Sequence, residues 1–266
     1  MTTSYDKIFP VTKRSAFMDF TIKSLSFLAM VFMVSGCDKP ETTTESSQLN
    51  LSFSGRYGTV PFQTLQPLPI GTVKSIKISK LDFYLTGFTL LSPTGNIELT
   101  DAALVDITGN SDQDRTVILK GLKRGDYSGI RFQVGVKPDL NKKLPKDFKS
   151  NHPLSSTSHY WEAWNSYIFS KIEGVLDPKG DKVYDLGFAV HTGTDVCLES
   201  VQIDKSFTLT DHQTFSLNLD LDVEKIFLQG GQYFDLESSP LNHNPSNIPT
   251  LKLFATSLAG AIQLKN

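Results

Sequence analysis

Apolar and polar positions alternate with a period of two through most of this chain. Leu49, Leu51 and Phe53 predict a first strand. The longest patterned run is Val73 to Leu91. Ile76 and Ile78 share one face, while Leu81, Phe83 and Leu85 keep the opposite phase. The change at Ser79-Lys80 predicts a bulge, or a strand covered on both faces. Ile97 to Leu99, Ala103 to Ile107 and Thr116 to Leu119 read as short strands. Ile130, Phe132, Val134 and Val136 read as a half-buried one. An apolar run from Tyr167 to Ile172 leads into Asp177-Pro178-Lys179-Gly180, a turn signal. The return strand carries Tyr184, Leu186, Phe188 and Val190. Phe215, Leu217, Leu219, Leu221 and Val223 give the clearest alternation. Only near the end does the period change: Leu251, Phe254, Ala255, Leu258 and Ile262 form a helical stripe, with Pro249 near its start. Gly55–Gly71, Asp139–His159 and Gly230–Pro249 read as loops, and there is no internal repeat. The pattern predicts an all-β fold: a β-sandwich of antiparallel strands with long loops and one C-terminal helix.

The N-terminal part follows another logic. Lys23 precedes an apolar run from Leu25 to Val34, which ends in Val34-Ser35-Gly36-Cys37. A charged start, a short apolar centre and small residues before a cysteine read as a secretory signal with a lipoprotein processing box. Residues 1–37 are therefore expected to be signal, with Met18 as the true start and Cys37 as the lipid-bearing residue. Residues 38–48, DKPETTTESSQ, are too polar to bury and are expected to act as a flexible tether. Residues 49–266 form the domain. The expected location is a bacterial membrane, as a periplasmic or cell-surface lipoprotein, with the outer membrane among the possibilities.

Composition changes the picture little. Aromatic residues make up 11% and charged residues 20%, as in a folded domain with a sizeable core. Residues 1–37 hold four of the 26 Lys/Arg and two of the 28 Asp/Glu, which leaves about −4 on the remainder. With no basic stripe, nucleic acid is not an expected partner. Only Cys197 remains as a thiol after Cys37, so the domain relies on its core rather than on a disulfide.

Candidate chemistry gathers between Asn151 and Gly174. This stretch holds both tryptophans, Trp161 and Trp164, with Tyr160, Tyr167, His152 and His159. Templates for a hydrolase nucleophile, a phosphate loop, a dinucleotide turn or a zinc protease are absent, so an enzyme is not expected. Candidate metal ligands are the five histidines and Cys197. Neutral imidazole suits copper among other metals, and an indole face can cover a soft cation. If the segment is extended, His159 and Trp161 fall on one side. The hairpin around Asp177–Gly180 carries His191 back towards Trp164–Tyr167. His152 reads as structural and His212 as solvated. The tryptophans have two readings: they cover a cation, or they plug the end of the sandwich.

The order of these features resembles the MbnP-like family of bacterial copper-binding proteins, which is associated with methanobactin and includes related surface copper proteins. The matching pieces are Leu81-Asp82-Phe83-Tyr84-Leu85-Thr86-Gly87-Phe88, Ile130 to Val136, His152-Pro153-Leu154, Tyr160 to Tyr167, Lys171-Ile172-Glu173-Gly174 and Phe188 to Gly193. The W-x-x-W-N-x-Y block followed by K-x-E-G is the most specific. The resemblance implies an all-β extracytoplasmic domain that binds copper for sequestration or handover. Its ligands would be His159 and His191, with His243 as a third candidate. It also implies oxidation of Trp161 to kynurenine by a partner dihaem peroxidase of the MauG type. Ser158, Ser166 and Thr192 depart from the family pattern. The alternative is a lipoprotein without metal that uses the aromatic loop as a contact surface.

Overall fold

A computed structural model describes residues 47–99, 102–244 and 247–265. The expected signal 1–37, Cys37 and tether residues 38–46 lie outside the described residues. Ser47 and Gln48, read above as tether, already belong to the first strand.

The principal strands are β1 (Ser47–Tyr57), β2 (Lys74–Leu91), β3 (Ala102–Asp106), β4 (Thr116–Leu122), β5 (Gly129–Val134), β6 (Ser166–Asp177), β7 (Leu186–Gly193), β8 (Glu199–Ile203), β9 (Thr214–Asp222) and β10 (Ile262–Leu264). They form two sheets. In the smaller, β1 pairs with β4 and with β9, and β10 pairs with β9. The larger is built on β2, which pairs with β6 along its first half and with β5 along its second. Beyond β6 come β7 and the two-residue strand Leu241–Asn242.

The architecture is all-β, and the pairing is mixed rather than antiparallel throughout. β1 runs parallel to β9, and β7 runs parallel to Leu241–Asn242. Alternation reports which residues face the core but not the direction of a neighbour, so the parallel pairs left no mark in the pattern.

The core lies between the sheets. Leu49, Leu51 and Phe53 of β1 are buried, and Phe53 meets Phe83 of β2 edge-on at 5.8 Å. The phase change in β2 is a bulge. Glu173 pairs with Lys80 and Gly174 with Ile78, so Ser79 is the extra residue. Beyond it, Phe83 points inward while Asp82 and Tyr84 take the other face. They are nonetheless fully buried, because the segment from Lys137 to Asn165 covers them. That segment is pinned by hydrogen bonds. Tyr84 and Tyr167 donate their hydroxyls to the carbonyls of Pro153 (3.0 Å) and Leu154 (2.8 Å). The amide oxygen of Asn141 accepts from the Tyr167 N–H at 2.9 Å. The segment is less loop-like than expected, with a short helix at Pro138–Asn141 and several 3-10 turns.

The C-terminal helix spans Ile248–Gly260 and buries Leu251, Phe254, Ala255 and Leu258. Ile262, expected on its stripe, lies beyond the helix end in β10, opposite Leu221.

Candidate metal centre

Pairing across the larger sheet sets one row of side chains on its outer face. Asp106 pairs with Asp82, Asp82 with Lys171, and Lys171 with His191. Opposed residues in a ladder point to the same face, so all four project towards the covering segment. Ala189 and Val190 pair with Leu241 and Asn242 in parallel, and the next residues along are His191 and His243.

Four aromatic rings meet at this end of the sheet. The His191 and His243 centroids are 5.8 Å apart. Trp161 lies 5.4 Å from His243 and 6.4 Å from His191. It also stacks on Trp164 at 5.1 Å, with 6° between the planes. Trp161 reaches the histidines because the chain folds back on itself. Tyr160 and Trp161 pair with Tyr167 and Ser166, through a turn in which Asn165 adopts φ +49. Tyr160 supports that turn by donating its hydroxyl to the Asn165 side chain at 3.0 Å, and its ring meets Tyr167 edge-on at 5.1 Å. Trp164 is only 9% exposed and belongs to the core. Trp164 is thus packed as a plug, and Trp161 lies beside the two imidazoles.

His191 is half-buried, and its Nε2 lies 2.7 Å from Oε1 of Glu173. A carboxylate oxygen accepts, so Nε2 carries the proton. Burial pushes the His191 imidazole below its usual pKa. The Lys171 and His243 charges push the same way, and together they outweigh the opposing pull of Glu173. The ring is therefore neutral at pH 7, with a bare lone pair on Nδ1. That Nδ1 is buried and has no hydrogen-bond partner, and the same is true of Nδ1 on His243. Buried polar atoms without partners are rare and call for an explanation. Two such unpartnered ring nitrogens on neighbouring imidazoles, beside an indole, are of the donor type that suits a soft metal ion. Among the described residues, no group of three or more His, Cys, Asp or Glu is placed to hold a metal. The candidate donors are the Nδ1 atoms of His191 and His243, with the Trp161 ring beside them.

The structure does not bring His159 to His191. His159 is buried two strands away, where its Nε2 bonds Asp82 Oδ2 at 3.0 Å and its Nδ1 meets the Ser158 hydroxyl at 3.1 Å. Both nitrogens are engaged. The cause is local: Thr157–His159 form a 3-10 turn, so the extended geometry that would align His159 with Trp161 begins only at Tyr160. Lys80 also bonds Asp82, at 3.0 Å. Burial alone would raise the Asp82 carboxyl, but the hydrogen bond and charge of His159, with Lys80, hold it below the usual carboxylate range.

The remaining candidates stand apart. His152 stacks on Phe148 at 4.5 Å and accepts from the Leu154 N–H. His212 is exposed in a turn. Cys197 is buried, which raises its thiol pKa. Sequence reasoning missed Glu173 and Asp82. For Glu173 a signal was present: it is two residues from Lys171 on the strand that pairs with His191, and so shares its face.

Comparison with known proteins matches the MbnP family profile to residues 46–247. Among solved structures, MbnP from Methylosinus trichosporium is similar, with 17% sequence identity and a TM-score of 0.48. The match covers 68% of this chain and 78% of that one. No curated protein sequence matches.

Proposed function

The chain belongs to the MbnP family, and on that premise we propose that it is an extracytoplasmic copper-binding protein in which His191 and His243 hold the metal beneath Trp161. The observation that carries this reading is the pair of buried, unpartnered Nδ1 atoms on rings 5.8 Å apart. Copper bound there would gain two imidazole nitrogen donors and, from Trp161, an aromatic ring beside it that excludes water. The reading is of sequestration or handover of the metal. A lipid on Cys37 would hold the domain at a bacterial membrane.

Oxidation of Trp161 to kynurenine by a dihaem peroxidase belongs to the same reading. The indole C2–C3 bond is cleaved in a four-electron oxidation that consumes two hydrogen peroxide molecules, each giving one oxygen atom and leaving as water, and hydrolysis of the N-formyl group then releases C2 as formate. Trp161 is the more accessible indole of the pair. Mass spectrometry of its tryptic peptide from the native host reads this directly, and an unmodified mass would remove that step.

The central test is copper titration of protein lacking residues 1–37. Wild type is expected to retain copper through desalting and to quench tryptophan fluorescence. His191→Ala and His243→Ala should each lose retention while keeping the wild-type circular dichroism spectrum. His159→Ala should retain copper. Retention by both the His191 and His243 variants would defeat the assignment. No retention by wild type would leave an aromatic contact surface as the alternative.

A further inference from the structure

We infer that Glu173 is the positioning residue of this site: by accepting a hydrogen bond from the Nε2–H of His191 it fixes that ring's tautomer and plane, and so presents Nδ1 towards His243. The inference rests on the copper reading for its purpose but not for its geometry.

The placement follows from the ladder. Glu173 pairs with Ala189, and Lys171 pairs with His191. Glu173 is therefore the diagonal neighbour of His191 on the same face, a separation that a long side chain can bridge. Ala189 offers only a methyl group between them. The bulge immediately after Glu173 sets the register against β2, and the Ser79 hydroxyl donates to the Glu173 carbonyl at 3.2 Å. On the other flank, the Lys80 ammonium is drawn away to Asp106 (2.7 Å) and Asp82 (3.0 Å). Lys171 is likewise turned aside, donating to the Ser158 carbonyl at 2.6 Å. Both cations near Glu173 are thus committed elsewhere, which leaves its carboxylate to the imidazole.

The energetic logic concerns the choice of nitrogen. A neutral imidazole carries one proton, and whichever nitrogen bears it cannot bind a metal. With Nε2–H held by a carboxylate, Nδ1 is deprotonated, and the ring resists rotation about its Cβ–Cγ bond. A carboxylate behind a ligating imidazole also raises the basicity of the coordinating nitrogen, and removing such a partner typically costs about 10–100-fold in metal affinity. His243 has no carboxylate partner among the described contacts, so the orienting task falls on one ring of the pair. This also gives a physical role to the Glu of the K-x-E-G pattern, beside a Lys that ties down the covering segment.

The test has two independent readouts on protein lacking residues 1–37. The first is nitrogen-15 NMR of the metal-free protein, which reports the His191 tautomer without copper. Wild type should show a single Nε2–H tautomer with a slowly exchanging ring proton. Glu173→Gln, whose amide oxygen still accepts, should keep it, and Glu173→Leu should lose it. The second is copper affinity by competition with a chelator of known strength. Glu173→Leu should weaken binding about 10–100-fold, and Glu173→Gln by distinctly less. A wild-type His191 that carries its proton on Nδ1 would overturn the inference, as would wild-type affinity in Glu173→Leu. If wild type took no copper, the functional reading would fail. The NMR result would still decide whether Glu173 orients the ring.

Discussion

His159 shows how little a residue's type reveals about its task. Its partner Asp82 lies 77 positions away in sequence, so nothing near the H-x-W spacing could disclose the pair. Both groups are buried, and removing the imidazole leaves the Asp82 carboxylate with Lys80 as its remaining partner, so the cost is that of a lost buried hydrogen bond rather than of an uncompensated charge. His159→Ala should therefore destabilise the fold by about 1–3 kcal/mol in urea unfolding while sparing copper retention. The pair also sets a pH dependence. The folded-state pKa of Asp82 is depressed, so its contribution to stability is full above the ordinary carboxyl value of 3.8. It fades as pH falls below that value and is gone beneath the folded-state value. Asp82→Asn should lower stability at neutral pH and flatten the acid limb of a stability–pH curve. An acid limb identical to that of wild type would show that Asp82 contributes nothing there.

At the scale of elements, the period-two pattern located the strands well, and the phase change at Ser79-Lys80 marked a real bulge. Register was less legible. His191 was expected near Trp164–Tyr167 but pairs with Lys171. The connection after β6 is longer than the tight turn suggested by Asp177-Pro178-Lys179-Gly180. The Asp177 carboxylate accepts the Gly180 and Lys182 N–H groups at 2.7 and 2.8 Å, which organises residues 178–185 into a wider loop. Trp161 still meets His191 because the covering segment folds back onto β6, a tertiary event without local signature. At that junction Gly193 of β7 lies against Trp164. A Cβ there would sit 2.6 Å from the indole and 2.9 Å from the Tyr167 carbonyl. Gly193→Ala should therefore displace Trp164 and, through the stack, Trp161. A cost of about 1–3 kcal/mol is expected, with a shifted tryptophan emission and weaker copper retention. Unchanged emission would show that the stack is not held from beneath by this contact.

For the molecule as a whole, the strand least legible as a centrepiece is β1. Its alternation marked a strand but not its station, between β4 on one side and, in parallel, β9 on the other. Parallel partners need a long connection, and here nearly the whole domain separates Gln48 from its partner Thr214. The β1–β9 pairing therefore forms only after most of the chain is made, and closing so long a loop makes that step slow. Its loss would open the smaller sheet at its middle, exposing unpaired edges on β4 and β9. It would also remove Leu49, Leu51 and Phe53 from the core. Three such side chains at about 1.5–3 kcal/mol each already approach the total stability of about 5–15 kcal/mol typical of a domain. A chain lacking residues 47–57 should show no cooperative thermal transition and should bind a dye specific for exposed apolar surface. A synthetic peptide of those residues, added in trans, should restore both the transition and copper retention, because the gap accepts a strand in only one register. A cooperative transition in the shortened chain without the peptide would mean that the larger sheet and its covering segment fold independently, and that the metal centre depends on them alone.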